Sequence, residues 1–220
     1  MEKENDFLRI ARHQLKGPIT LIKGCLSFWQ NDDYQKFTPA KQKELINKAM
    51  ASAEKLNVLI NDLFLALALE KKDLKINPEP IQLKELLGAV YNENFKDNYE
   101  NKGLYFKIEA AEDSLIINSD KHYLTISIQK LLDNAEKYTE SGGITVSLRK
   151  EDKYVLIEIK DSGVGLTAEE KPLFFTKFFH GSLSLYVVKE IINALNGEIS
   201  VESAGQNQGA KFIIKMPLVI

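Results

Sequence analysis

The sequence predicts an α+β protein in which an antiparallel helical hairpin, forming a dimeric four-helix bundle, is followed by an α/β sandwich domain. Two observations lead to this prediction. Apolar residues recur at helical spacing through residues 7–70, whereas the remainder alternates helical segments with period-two strands and glycine or proline turns. The length of 220 residues suits two modest domains, which we assign to residues 1–72 and 73–220.

The first helix is predicted over residues 7–29, and its apolar stripe consists of Phe7, Ala11, Leu15, Ile22 and Trp29. Thr38 and Pro39 are an N-cap and a first helical residue, so they predict where the second helix begins. From Leu45 to Leu63 the apolar spacing alternates between four and three residues, which is a heptad seam. A lone hairpin leaves its seam uncovered, so we infer a homodimer.

The second part of the chain combines helices with a mostly antiparallel set of strands. Helices are predicted at 82–100, 120–137, 168–175 and 183–195, and strands at 104–109, 115–118, 144–150, 154–160, 198–202 and 211–218. Because helices and strands segregate into layers, this part is expected to form an α/β sandwich.

Composition excludes several classes of protein. The chain has 44% hydrophobic and 27% charged residues, as ordinary globular proteins do. A net charge of −2 leaves no basic excess for nucleic-acid binding, and no apolar run is long enough to span a membrane. The single cysteine, Cys25, rules out an internal disulfide and a cysteine-rich metal site. We therefore expect a cytoplasmic protein without nucleic-acid partners or a membrane segment.

The first candidate site is His13, which lies roughly 160–200° around the helix from the apolar stripe and should face solvent. The surrounding segment FLRIARHQLKGPITLIKG, residues 7–24, resembles the H box of sensor histidine kinases. The resemblance implies that His13 is the phosphoacceptor. A neutral imidazole is a competent nucleophile toward a γ-phosphate near pH 7.

A second segment, LLDNAEKYT at residues 131–139, resembles the N box of the same family. The resemblance implies that the carbonyl oxygen of Asn134 binds Mg²⁺, that Lys137 offers charge to phosphate, and that the ring of Tyr138 faces the nucleotide. By itself, this segment would also suit an ordinary amphipathic helix with a lysine near the negative end of the helix dipole.

The third segment, DSGVGL at residues 161–166, follows a predicted strand and resembles the first glycine box of a Bergerat-type ATP site. The resemblance implies that Asp161 accepts a hydrogen bond from the adenine amino group. It also implies that Gly163 and Gly165 let the backbone approach the base.

The remaining motifs follow in the family's order. FTKFF at residues 175–179 resembles the F box, and the resemblance extends the ATP site to Lys177, Ser182 and Leu183. Across residues 7–217 the chain is thus similar to the core of a two-component sensor histidine kinase. This implies ATP and Mg²⁺ as cofactors, autophosphorylation of His13, and phosphotransfer to an aspartate of a response-regulator receiver domain.

Several positions depart from the family pattern. Gln14 stands where an acidic residue is usual, and an amide does not take a proton at neutral pH. Gly17, Lys130 and Ala210 also differ, and the lid between the F box and the next helix is short. These departures keep open a pseudokinase or signalling scaffold. A gyrase-type or MutL-type ATPase is a second alternative, against which the H box and hairpin argue.

Overall fold

The computed structural model describes residues 2–30, 33–112, 115–179 and 182–218, which divide into two compact units. One unit holds the described residues up to Leu67 together with Ser182 and Leu183. The other holds Ala68–Phe179 and the described residues from Ser184 onward. The side chain of Phe7, part of the predicted apolar stripe, lies outside the described residues, as do residues 180 and 181 of the short lid.

The helical unit is built on two long helices, α1 (Glu2–Gln30) and α2 (Pro39–Glu70). The last three residues of α2 belong to the second unit. The amide of Lys41 donates to the Thr38 hydroxyl at 3.3 Å, as expected for a capped helix start. The helix α1 continues through Pro18, although a proline cannot donate the helical hydrogen bond.

The predicted seam of α2 is its less exposed face. Leu45 and Leu59 are buried, and Leu56 and Leu63 are half-buried. The same two helices carry large apolar side chains that are at least two-fifths exposed, namely Ile19, Leu21, Leu26, Ile46, Met50, Val58 and Phe64. An apolar surface of this extent on one helical unit is typical of a protein that associates.

The second unit is an α/β sandwich, as the sequence predicts. In chain order its elements are β1 (Glu79–Gln82), α3 (Leu83–Asn94), α4 (Lys96–Lys102), β2 (Tyr105–Ala110), β3 (Ile116–Ser119), α5 (Lys121–Tyr138), β4 (Gly143–Glu151), β5 (Tyr154–Asp161), α6 (Ser184–Ala194), β6 (Glu198–Glu202) and β7 (Lys211–Pro217). Five strands form a sheet in the order β2-β4-β5-β7-β6, with only the β2–β4 pair parallel.

One face of this sheet packs against helices. In β4, the alternate residues Ile144, Val146 and Leu148 are buried, while Thr145 and Ser147 between them are partly exposed. The helix α5 contacts β4, β5 and α6, and α3 contacts β2 and α5. The sheet and these helices therefore form the two layers of one core.

Three elements differ from the sequence prediction. The two-stranded β1–β3 sheet includes Pro80, which is tolerated because β1 is an edge strand and proline cannot donate to a central ladder. The helix predicted over 82–100 breaks at Phe95 into α3 and α4. The helix predicted over 168–175 is only a short 3₁₀ turn, Lys171–Leu173, because Pro172 restricts its neighbour and lacks an N–H.

Among the described residues, no helix combines the length and apolar character required to cross a lipid bilayer.

Candidate functional site

Asp161 ends the central strand β5 and is only 5% exposed. Its Oδ1 atom accepts hydrogen bonds from the backbone amides of Gly163, at 2.9 Å, and Ala210, at 3.1 Å. Burial raises the pKa of the Asp161 carboxyl, and these two amides oppose that rise. Two loops therefore fix the carboxylate, and its Oδ2 atom makes neither of these two bonds. A buried, oriented carboxylate oxygen is suited to accept from an amino group of a ligand.

The turn after Asp161 requires glycine for a reason that the motif alone does not reveal. A Cβ atom on Gly163 would lie 2.2 Å from the carbonyl oxygen of Tyr138, and one on Gly165 would lie 2.1 Å from the carbonyl oxygen of Gly205. The amide of Val164 donates to the same Tyr138 oxygen at 3.2 Å. These glycines bring the backbone close to other backbone, and their approach to a bound base stays a prediction.

The end of α5 carries the second predicted group of site residues. Asn134 and Tyr138 are half-buried, Lys137 is exposed, and the Lys137 ammonium lies 4.8 Å from the centroid of the Tyr138 ring. Because the Tyr138 carbonyl contacts the turn after Asp161, the structure brings the end of the predicted N box together with the predicted glycine box.

The helix α4 braces this end of α5. The buried hydroxyl of Tyr99 donates to the Leu132 carbonyl at 3.1 Å, and burial raises the pKa of Tyr99. The Lys102 ammonium forms an ion pair with Glu136 at 2.9 Å. Both contacts hold the two turns that carry Asn134. Sequence reasoning missed these bracing residues because nothing in their spacing connects them with residues more than 30 positions later.

Ser203 is another contributor that the sequence analysis missed. Its hydroxyl donates to the Gly209 carbonyl at 2.7 Å and accepts from the Leu166 amide at 3.0 Å. It therefore joins the loop before β7 to the turn after β5, and this loop carries the Ala210 amide that holds Asp161. The only sequence signal here is a pair of nearby glycines, Gly205 and Gly209, which indicates a turn.

Lys177, a predicted nucleotide ligand, is engaged elsewhere within the second unit. Its ammonium is paired with the carboxylate of Glu70, at the end of α2, and lies 5.2 Å from the centroid of the Tyr186 ring. The other two residues that the resemblance assigned to the ATP site, Ser182 and Leu183, are grouped with the helical unit. Contact of Lys177, Ser182 and Leu183 with nucleotide stays a prediction.

In the helical unit, His13 is exposed on α1, as the periodicity predicts, while Ala11 and Pro18 are buried. Gln14 is half-buried. His13 lines an open groove of about 830 Å³ whose walls are Arg9, Ile10, Ala11, Arg12, Leu15, Lys16, Ile19 and Leu63. The imidazole is therefore accessible to a reactant.

The residues near Asp161 fit a nucleotide-bound magnesium ion better than a metal held by protein alone. The described residues contain no group of three or more His, Cys, Asp or Glu side chains that could hold a metal. Mg²⁺ commonly takes one or two protein oxygens and completes its shell with phosphates and water. The amide oxygen of the half-buried Asn134 is a hard donor of that type.

Two family models match the chain. A His Kinase A (phospho-acceptor) domain matches residues 3–73, and the histidine kinase-, DNA gyrase B- and HSP90-like ATPase family matches residues 119–220. The phospho-acceptor match contains His13, and the ATPase match contains Asn134 and Asp161.

Curated relatives match along almost the whole chain. Sensor histidine kinase RcsC from Escherichia coli strain K12 is 28% identical over 230 aligned residues, which cover 99% of this chain and 24% of RcsC. Signal transduction histidine-protein kinase BaeS from the same strain is 26% identical and is covered over 47% of its length. The chain thus spans about a quarter to a half of these two relatives.

Solved structures share the fold. A solved chain of the histidine kinase AdeS from Acinetobacter baumannii is 26% identical and superposes with a TM-score of 0.80, covering 94% of this chain and 98% of that chain. The histidine kinase ThkA, solved in complex with the response regulator protein TrrA, is 22% identical with a TM-score of 0.71, covering 97% of this chain and 61% of that one.

Proposed function

Because the chain belongs to the sensor histidine kinase family, we propose that it is the core of a two-component kinase that binds Mg²⁺-ATP and phosphorylates His13. One observation carries the proposal: a single chain joins an exposed histidine on an amphipathic helix to a buried carboxylate, Asp161, that two backbone amides orient. A cytoplasmic location is part of this proposal.

In the second unit, the Oδ2 atom of Asp161 accepts from the adenine amino group. Lys137 neutralises part of the charge of the phosphates, and Asn134 holds the magnesium ion through its amide oxygen. The bound ion offsets negative charge on the phosphates. The bracing by α4 and the contact between Tyr138 and the turn after Asp161 hold these side chains in one arrangement, so little reorganisation accompanies binding.

In the transfer step, one imidazole nitrogen of His13 forms a bond with the γ-phosphorus. The bond from phosphorus to the bridging oxygen breaks, and its electron pair leaves with ADP. The proton on the other ring nitrogen passes to solvent, since the amide of Gln14 does not take it at neutral pH. Without a carboxylate at position 14, we expect the reaction to depend on positioning and charge neutralisation more than on general base catalysis.

Two partners follow from this proposal. The exposed apolar side chains of α1 and α2 fit burial against a second copy of the chain in a four-helix bundle. The kinase ThkA forms a complex with a response regulator, and its fold matches this chain over both units. We infer that a response-regulator receiver domain accepts the phosphoryl group from His13.

The test is incubation of the full chain with γ-labelled ATP and Mg²⁺, followed by acid treatment, because phosphohistidine is acid-labile and phosphoserine is not. His13→Ala should remove the acid-labile label and leave ATP binding unchanged. His122→Ala is the matched control, because His122 is also exposed on a helix and should retain full labelling. Undiminished labelling in His13→Ala would refute the assignment of the phosphoacceptor. ATP binding without labelling would favour the scaffold alternative.

A further inference from the structure

The helix that carries His13 has an unusual charge distribution. In a chain of net charge −2, residues 7–30 contain Arg9, Arg12, Lys16 and Lys23 and no aspartate or glutamate. Three of these four cations, all but Lys23, line the groove that contains His13. Within residues 7–30 the positive charge is therefore concentrated at the histidine, and the acidic residues of the helix, Glu2, Glu4 and Asp6, all come earlier in the sequence.

Among the described residues, the other walls of the groove carry no acidic side chain. Its remaining described lining residues are apolar, and none of them is Asp or Glu. On α2, Asp62 precedes the lining residue Leu63, but Asp62 is only 1% exposed and does not line the groove. The groove thus presents an exposed imidazole beside exposed cations.

Lys16 is placed beside His13 by helical spacing, and Arg12 by the groove that both residues line. Lys16 lies three residues after His13, so the two side chains are neighbours on one face of the helix. Arg12 directly precedes His13, is exposed, and borders the same groove. A guanidinium presents two parallel N–H donors that match two phosphate oxygens, whereas an ammonium acts as a point charge. Arg12 and Lys16 together have the donors that a phosphoryl group on His13 would need.

We propose that Arg12 binds the phosphoryl group that is transferred to His13, with Lys16 as a second cation. The inference rests on the proposed function, since it assigns a further residue to the same reaction. It also gives a physical role to the departure at Gln14. An uncharged amide beside the imidazole neither repels the incoming phosphoryl group nor competes for the guanidinium. Charge neutralisation by Arg12 then replaces part of the help that a carboxylate base would give.

The test compares the full-length variants Arg12→Gln and Lys23→Gln. Both remove one exposed cation from α1, but Lys23 does not line the groove. With γ-labelled ATP, Arg12→Gln should label His13 about tenfold to hundredfold more slowly, the effect of losing a charge-assisted hydrogen bond. Lys23→Gln should label at the wild-type rate. ATP affinity should be unchanged in both, because both positions lie outside the unit that contains Asp161.

A second measurement does not depend on kinase activity. Phosphoramidate, which transfers a phosphoryl group to imidazole and releases ammonia, can phosphorylate His13 directly, and the His13→Ala variant identifies the corresponding ³¹P resonance. A guanidinium on the phosphoryl group favours its dianion, so the phosphoryl pKa should rise by about half a unit to one unit in Arg12→Gln. Lys23→Gln should match wild type, and Arg12→Lys should recover part of the shift.

The two measurements separate this inference from the proposed function. If ATP labels nothing but the phosphoramidate product has a phosphoryl pKa that depends on Arg12, the kinase proposal fails and the Arg12 site stands. If the phosphoryl pKa of Arg12→Gln equals that of wild type, the inference is overturned, whatever the labelling rates.

Discussion

Replacing Asp161 by asparagine should remove most of the nucleotide affinity and leave the fold at least as stable as wild type. The substitution is isosteric. The asparagine carbonyl oxygen can take the place of Oδ1 and keep the bonds from the Gly163 and Ala210 amides. The amide NH₂ group then replaces Oδ2, so a donor faces the adenine amino group where an acceptor stood.

The size of the effect follows from these contacts. A hydrogen bond to a charged group contributes about 1.5–3 kcal/mol, which corresponds to roughly tenfold to hundredfold in affinity. The new amide NH₂ group and the adenine amino group are both donors, so their mutual repulsion adds to the loss of affinity. Removing the charge should not destabilise the protein, because burial is the largest influence on the pKa of Asp161 and acts against its ionised form.

The pH dependence supplies an internal control. The folded-state pKa of Asp161 is raised above its usual 3.8, so the folded state holds this proton more tightly than the unfolded state. The resulting stabilisation is fully present below the unfolded pKa and is lost as pH rises through the folded pKa. Asparagine carries no such dependence. The variant should therefore gain stability relative to wild type above about pH 4, and this advantage should disappear at lower pH.

Calorimetric titration with Mg²⁺-ATP measures the affinity, and urea unfolding at pH 7 and at pH 3.5 measures the stability. Wild-type affinity in Asp161→Asn would remove this residue from the nucleotide site. A loss of several kcal/mol of stability at pH 7 would refute the argument in another way, because the loss of binding would then reflect a damaged fold.

Four further substitutions test packing, hydrogen bonding and association. Gly163→Ala should lower the free energy of unfolding by about 1–3 kcal/mol, because the new Cβ would meet the Tyr138 carbonyl oxygen at 2.2 Å. Gly88→Ala in helix α3 should raise the free energy of unfolding by up to about 1 kcal/mol, because no atom lies within 4 Å of its new Cβ. Equal urea midpoints for these two variants would contradict the steric account. Tyr99→Phe should lose about 1 kcal/mol with the buried hydrogen bond, and unfolding at wild-type denaturant concentrations would contradict this expectation. Phe64 is 67% exposed, and we expect it to be buried in the dimer interface, so Phe64→Ser should shift the chain toward monomer in sedimentation velocity. A dimer dissociation constant equal to that of wild type would exclude Phe64 from the interface.

Sequence periodicity predicted those parts of the fold in which one face of an element is buried. In β4 the buried residues Ile144, Val146 and Leu148 alternate with less buried ones, so the strand could be recognised without knowing its partners. Pairing was harder to predict. Nothing within β2 or β4 indicates that they run parallel, and the two prolines before Ile81 concealed β1, which is tolerated only because it is an edge strand.

The residues of the candidate site likewise divide into those that local sequence patterns indicate and those that depend on long-range contacts. His13, Asn134 and Asp161 could be proposed as site residues because each lies in a short motif with characteristic neighbours. The Ala210 amide and the Ser203 hydroxyl were missed, although both support the turn that carries Asp161. A backbone amide has no sequence signature, and the two partners of the Asp161–Ala210 bond are 49 residues apart. Such contacts depend on strand order, which local patterns do not determine.

The strand order also determines when this site can form during synthesis. The strand β7 lies between β5 and β6, although it follows both of them in the sequence. On a nascent chain, β5 has its neighbour β4 but lacks its other neighbour until residues 211–217 have left the ribosome. The Ala210 amide that orients Asp161 arrives at the same moment. The helices α1 and α2 are translated before this sheet and can form by local contacts, whereas this long-range strand pairing comes late. We therefore expect a ribosome-bound or truncated chain that lacks β7 to form α1 and α2 but to be unable to retain nucleotide.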